Sequence, residues 1–229
     1  MENETSAAIE EAVALKASAK SAREDQDWES AIEDIGAAIM ILKQSEGSSL
    51  ARERHLLNAE LADAYGTLGG IYRRLALTLD GEAQQRHLVE SFEAYNKGFE
   101  LETNLPVREA STYNQVNRIL AKVLVTPDEV GGSEVAAELR AAREAVQSQV
   151  DGSRQKDPWA YCDLCTLQAL SNDEAAWTTL AQLRSLRPPV FVMQSWSTTL
   201  SPLASAVGAS NPGLVRLAEA VERISGNPG

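Results

Sequence analysis

The chain has 229 residues, with 33 acids against 21 bases and a formal net charge of −12. That length suits one large domain or two small ones with a real core. Its 44% apolar content excludes a disordered chain, and its charge excludes a general nucleic-acid binder. The longest clean apolar run, Ala37 to Leu42, is far short of the roughly 18 residues that span a bilayer. The acidic start, Met1 to Glu11, lacks the basic-then-apolar order of a signal peptide, so the expected location is the cytoplasm, with no membrane contact.

Ala, Leu, Glu, Gln and Arg dominate and Val/Ile alternation is scarce, which predicts an all-α fold. Breaks fall at Glu46-Gly47-Ser48-Ser49, Asp80-Gly81, Asn104-Leu105-Pro106, Thr126-Pro127, Gly131-Gly132, Asp151-Gly152, Pro188-Pro189 and Gly208 to Gly213. Asp157-Pro158 and Asn211-Pro212 each place a capping side chain before a proline in a first helical turn. Gly226 to Gly229 reads as a stop and a tail.

The segments between these breaks pair into similar units. The first runs from Leu15, Ala19 and Ala22, through a turn at Gln26-Asp27, to Trp28, Ala31, Ile35 and Ala38. The second has Tyr65, Leu68, Gly69 and Tyr72 in one helix and Ser91, Tyr95 and Gly98 in its partner, with the turn near Asp80-Gly81. A glycine inside a helix costs about 1 kcal/mol against alanine, a cost that makes sense where another helix packs on Gly69. The third has Tyr113, Val116, Asn117 and Leu120, then Ser133 to Val150 with Ala137 and Ala141. The fourth runs from Trp159 to Leu170, turns at Ser171-Asn172-Asp173, and continues through Ala176, Leu180 and Leu183.

This pattern of large and small residues resembles the tetratricopeptide repeat (TPR), a helix-turn-helix unit of about 34 residues. The resemblance implies one TPR-like domain over residues 1–229, a right-handed superhelix of about four repeats. The repeats are expected at roughly 5–45, 52–104, 107–150 and 157–188, with C-terminal capping helices at 190–225. Tyr113 to Asn117 and the block from Trp159 to Ala176 also resemble the repeat region that precedes the catalytic domain in apoptosis-signal-regulating kinases, and related regions of bacterial conflict proteins. That resemblance implies a regulatory scaffold or sensor.

Chemistry-bearing residues are few. His55 and His87 lie far apart, and no phosphate-binding loop, dinucleotide fingerprint or nucleophile elbow occurs. Cys162-x-x-Cys165 has the spacing of a redox pair and equally of two small residues on one helix face. With the helix starting at Asp157-Pro158, Cys162 lies beyond the first turn, where the dipole would acidify it. No second pair completes a zinc site. Glu10-Glu11, Glu24-Asp25 and Glu33-Asp34 read as solvated helix faces. Trp196 is either a partner anchor or a core residue. No catalytic residue, metal or cofactor is expected.

One pattern points to binding. The repeat register turns five positions of each first helix toward a concave groove. They are Val13, Lys16, Lys20, Arg23 and Glu24, then Asp63, Gly66, Gly70, Arg73 and Arg74, then Ser111, Asn114, Arg118, Ala121 and Lys122. Seven are basic and two acidic, in a chain whose overall balance is the reverse. Either these cations pair with neighbouring acids, or the stripe focuses an anionic ligand. The stripe resembles the carboxylate clamp of chaperone-binding TPR domains, with Lys16 and Asn114 of suitable type, but Lys20 stands where that clamp has Asn. The expectation is a non-enzymatic scaffold binding an acidic peptide or protein segment through Lys16, Lys20, Arg23, Arg73, Arg74, Asn114, Arg118 and Lys122. The alternatives are a sensor for a small anionic ligand such as a nucleotide and, third, a thiol-redox protein.

Overall fold

The computed structural model describes residues 2–46, 51–105 and 111–226. The breaks expected at Gly47 to Ser49 and at Pro106, and the tail from Asn227, lie outside them. The described residues form ten α-helices and two short 3-10 turns, with no strand among them. They fall into two compact units, residues 1–121 and 122–229.

Unit 1 holds α1 (Glu2–Glu24), α2 (Trp28–Glu46), α3 (Ala51–Ala76), α4 (Gly81–Thr103) and most of α5 (Tyr113–Val125). α1 packs on α2, α2 on α3 and α3 on α4, with α1 also touching α3, as in stacked helical hairpins. The contacts use small residues, as the repeat pattern requires. Ala12, Ala19, Ala31 and Ala38 are fully buried and let Ile35, Leu42, Leu57 and Ile71 close the core around them. Gly69 is the tightest such point: a Cβ there would stand 2.8 Å from the Tyr95 ring. Ser91 on α4 donates from Oγ to the Gly69 carbonyl at 2.8 Å, so the close approach also gains a hydrogen bond. The turn joining α3 to α4 falls at Asp80-Gly81, where Gly81 takes φ +60°, a conformation that disfavours side chains.

Unit 2 holds the end of α5, α6 (Ser133–Asp151), α7 (Pro158–Leu170), α8 (Ala175–Ser185), α9 (Val190–Val207) and α10 (Pro212–Gly226). The boundary between units therefore falls inside α5. α7 is the centre: it packs against α6, α8, α9 and α10, and ten of its thirteen residues are buried. Its start is fixed as the sequence implies, by Asp157, whose carboxylate accepts from the Trp159 N–H at 3.0 Å. Asn211 caps α10 in the same way, accepting from the Leu214 N–H at 3.0 Å. Its amide also donates to the Leu170 carbonyl at 2.7 Å, tying the start of α10 to the end of α7.

Trp196 is a core residue. It is 3% exposed and its Nε1 donates to Thr166 Oγ1 at 2.9 Å, so it is not a surface anchor. The exposed aromatics of this unit are Trp159 and Phe191, with ring centroids 6.4 Å apart.

Candidate functional site

Lys20 and Arg23 are three residues apart on α1 and share a face. Asp63, Thr67, Gly70 and Arg74 follow one another along one stripe of α3 at helical spacing, with Arg73 beside them. Because α1 packs against α3, and Tyr113 arrives at the start of α5, these eight residues line a cavity of about 270 Å³. Four cations face it against one carboxylate.

Neighbouring side chains hold the three arginines. Arg73 donates from Nη1 to Asn117 Oδ1 at 2.8 Å and lies over the Tyr95 ring, 5.8 Å from its centroid, two contacts that orient a guanidinium but leave its charge. Asn117 in turn donates to the Tyr113 carbonyl at 2.9 Å. Arg23 has only a 3.7 Å approach to Glu24, whose side chain is exposed. Partial enclosure and then the charges of Arg23 and Arg73 hold the Arg74 guanidinium below its ordinary value, although it stays cationic. The Tyr95 phenol and burial push the Tyr113 hydroxyl up, so it remains a neutral hydrogen-bonding group.

The other expected groove residues are placed differently. Lys16 is 6% exposed and bonded to Glu60 and, at 2.7 Å, to Asp63. Burial opposes its charge, but the hydrogen bonds and charges of Asp63 and Glu60 outweigh it and raise the Lys16 pKa. Lys122 belongs to unit 2 and meets Glu134 and Glu138 on α6 at 3.1 and 3.3 Å. Both lysines are thus committed to carboxylates. Arg118 lies over the Phe99 ring, 4.7 Å from its centroid. Asn114 is 1% exposed and works inside the fold: its Nδ2 donates to the Ala62 carbonyl at 3.0 Å and to Glu102 Oε1 at 2.9 Å.

Thr67 and Tyr113 line the cavity but lie outside the five-position register read from the sequence. Glu102 was likewise not singled out. It is 5% exposed, and burial pushes its carboxyl up to about 7, against the Asn114 amide and the nearby backbone N–H groups of Asn114 and Gln115.

The two cysteines are reduced and buried. Burial pushes the Cys165 thiol up to about 12 and the Cys162 thiol higher still, while Cys165 Sγ donates to the Ala176 carbonyl at 3.1 Å. Both thiols pack in the α7 core, where the thiolate is disfavoured. Unit 2 has a larger hollow, about 800 Å³ along α6, but there Glu144 and Asp151 offset Arg140 and Arg143. Among the described residues no group of three or more His, Cys, Asp or Glu is arranged to hold a metal ion, and no helix is long and apolar enough to cross a membrane.

Residues 2–123, just over half of the chain, match the family model described as Tetratricopeptide Repeats-Sensor. The chain belongs to this family. The matched span covers every element that lines the cavity, α1, α3 and the start of α5, so the concentrated positive charge lies in the Tetratricopeptide Repeats-Sensor portion. No curated protein and no solved structure matches the chain.

Proposed function

We propose that the chain is a non-enzymatic sensor whose unit 1 cavity binds a small anionic ligand, of which a nucleotide is one candidate. A single observation carries this: Lys20, Arg23, Arg73 and Arg74 converge on a half-open cavity with Asp63 as its one carboxylate. Arginine forks suit phosphate and carboxylate oxygens, and cations converging in a cleft focus an anion there. The Thr67 and Tyr113 hydroxyls add neutral hydrogen-bonding groups, and Asp63 accepts from a ligand hydroxyl or amine.

An acidic peptide, whose carboxylates suit the same arginines, is the second candidate ligand. A peptide needs a longer run of available cations than a small anion does. Lys16 and Lys122, which would extend the stripe, already hold carboxylates.

Thermal unfolding with sulfate, pyrophosphate, nucleoside mono- and diphosphates and an oligoglutamate peptide separates the two. A ligand at 100 times its Kd adds about 2.7 kcal/mol of stability. We expect a small phosphate-bearing anion to give such a shift. The K20E/R23E/R73E/R74E variant is expected to lose it while keeping the wild-type helical circular dichroism. Equal stabilisation of both proteins would remove the cavity assignment, and a shift with oligoglutamate alone would transfer it to a peptide.

A further inference from the structure

Asn114 follows Tyr113, which lines the cavity, and inserts its amide into a slot between α3 and α4. Two glycines make the slot. A Cβ on Gly66 would lie 2.7 Å from Asn114 Oδ1, and one on Gly98 would lie 2.5 Å from Asn114 Cγ. Inside it, Asn114 Nδ2 donates to Ala62 on α3 and to Glu102 on α4. One amide thereby ties three helices together. Each attachment also neighbours the cavity wall in sequence: Ala62 precedes Asp63, Gly66 precedes Thr67, and Asn114 follows Tyr113.

Two atoms in this slot accept no hydrogen bond, Glu102 Oε2 and Asn114 Oδ1, and both are buried. They belong to side chains already joined by the Nδ2 to Oε1 bond. One proton answers both vacancies, because a carboxylic acid on Glu102 becomes a donor where the carboxylate is acceptor-only. We infer that Glu102 is a positioning residue of the anion cavity: protonated, it completes an acid–amide pair with Asn114 that fixes the start of α5 on α3 and α4 and sets the wall of Asp63, Thr67 and Tyr113. This rests on the anion-binding role proposed above.

The surroundings favour the neutral acid. Burial in the slot is the main force against ionisation, and Asp63, itself paired with Lys16 of α1, adds a smaller like-charge effect from α3. From α5 the Asn114 amide and the backbone N–H groups of Asn114 and Gln115 favour the anion, which leaves the carboxyl titrating at about 7 instead of fully neutral. Losing the proton places a negative charge behind the cationic wall and removes the donor that would face Asn114 Oδ1. Ligand affinity therefore falls as pH rises through neutrality, a range in which lysine and arginine do not titrate.

Sulfate is the probe, because its charge is constant between pH 6 and 8.5. Its affinity is measured across that range for wild type and for Glu102→Gln, whose amide donates to Asn114 Oδ1 at every pH, with thermal stability recorded on the same samples. Wild-type affinity is expected to fall about tenfold or more toward pH 8.5, the scale of one charge acting on a dianion at roughly 10 Å in a protein. Glu102→Gln is expected to hold the low-pH wild-type affinity throughout. Parallel profiles in the two proteins, or weaker binding by Glu102→Gln at pH 6, would overturn the positioning role. If neither protein binds sulfate at any pH, the cavity assignment falls and the positioning role with it. The stability profile still reports separately on the proton, since wild type loses stability relative to Glu102→Gln above pH 7 only if Glu102 carries it.

Discussion

The two units solve the same packing problem with different interiors. Unit 2 buries Thr166, Gln168, Thr179 and Asn211, all neutral, each hydrogen-bonded to a named partner. Unit 1 buries the ionisable Lys16, on the α1 helix that lines its cavity, and Glu102, on α4 behind the start of α5. Buried neutral groups that are fully satisfied hold a fold in one arrangement. Buried ionisable groups cost stability unless something nearby compensates, and they concentrate where a protein binds or responds. Among the described residues the buried charged side chains, Lys16 and Glu102, lie in unit 1, and under the proposed function that is the unit that meets the ligand.

The largest expected effect lies in the scaffold. Leu167 of α7 is fully buried, so Leu167→Ala should cost about 2–5 kcal/mol in urea unfolding while sulfate binding by the folded protein is unchanged. A change in affinity of the folded protein would break the division of labour.

Next is the pH response of unit 1. The Glu102 carboxyl is raised from 4.5 to about 7 on folding. Its contribution to stability is therefore fully present below the unfolded value and is lost as pH rises through about 7. The shift corresponds to about 3 kcal/mol, so Glu102→Gln should be the more stable protein at pH 8.5 and close to wild type at pH 4.5. A flat wild-type profile would place Glu102 with the neutral interior of unit 2. A smaller effect is expected at the α7 cap. Asp157→Ala removes the bond to the Trp159 N–H and the partner of Arg154, and should cost about 1 kcal/mol in the unfolding midpoint. Smallest is Glu174→Ala, which breaks the exposed 2.9 Å pair with Arg216 and should shift stability by less than about 0.5 kcal/mol.

The helices were readable because their causes are local. Asp157-Pro158 and Asn211-Pro212 announce their own starts, and Gly69 announces a close contact by its cost. Lys20, Arg23, Arg73 and Arg74 could be placed together because helical period and repeat register put them on facing stripes. What escaped depends on distant partners. Lys16 has the register of a groove cation, but its carboxylates come from 44 and 47 residues along the chain. Glu102 looks in sequence like any surface acid of a long helix. Only the slot opened by Gly66 and Gly98 shows that it is enclosed. Tyr113 fits the aromatic position of a repeat, so its core-like pattern concealed a place on the cavity wall.

The hidden cysteines have a practical consequence. Maleimides and similar reagents react with thiolates, and at neutral pH Cys162 and Cys165 offer neither a thiolate nor a path to one. A single cysteine introduced on the exposed face of α1, for instance Ser21→Cys beside Lys20, would be the one site in the folded protein to take a fluorophore. The native chain is thus already a clean background for an optical readout of the cavity, with no cysteine to be removed first.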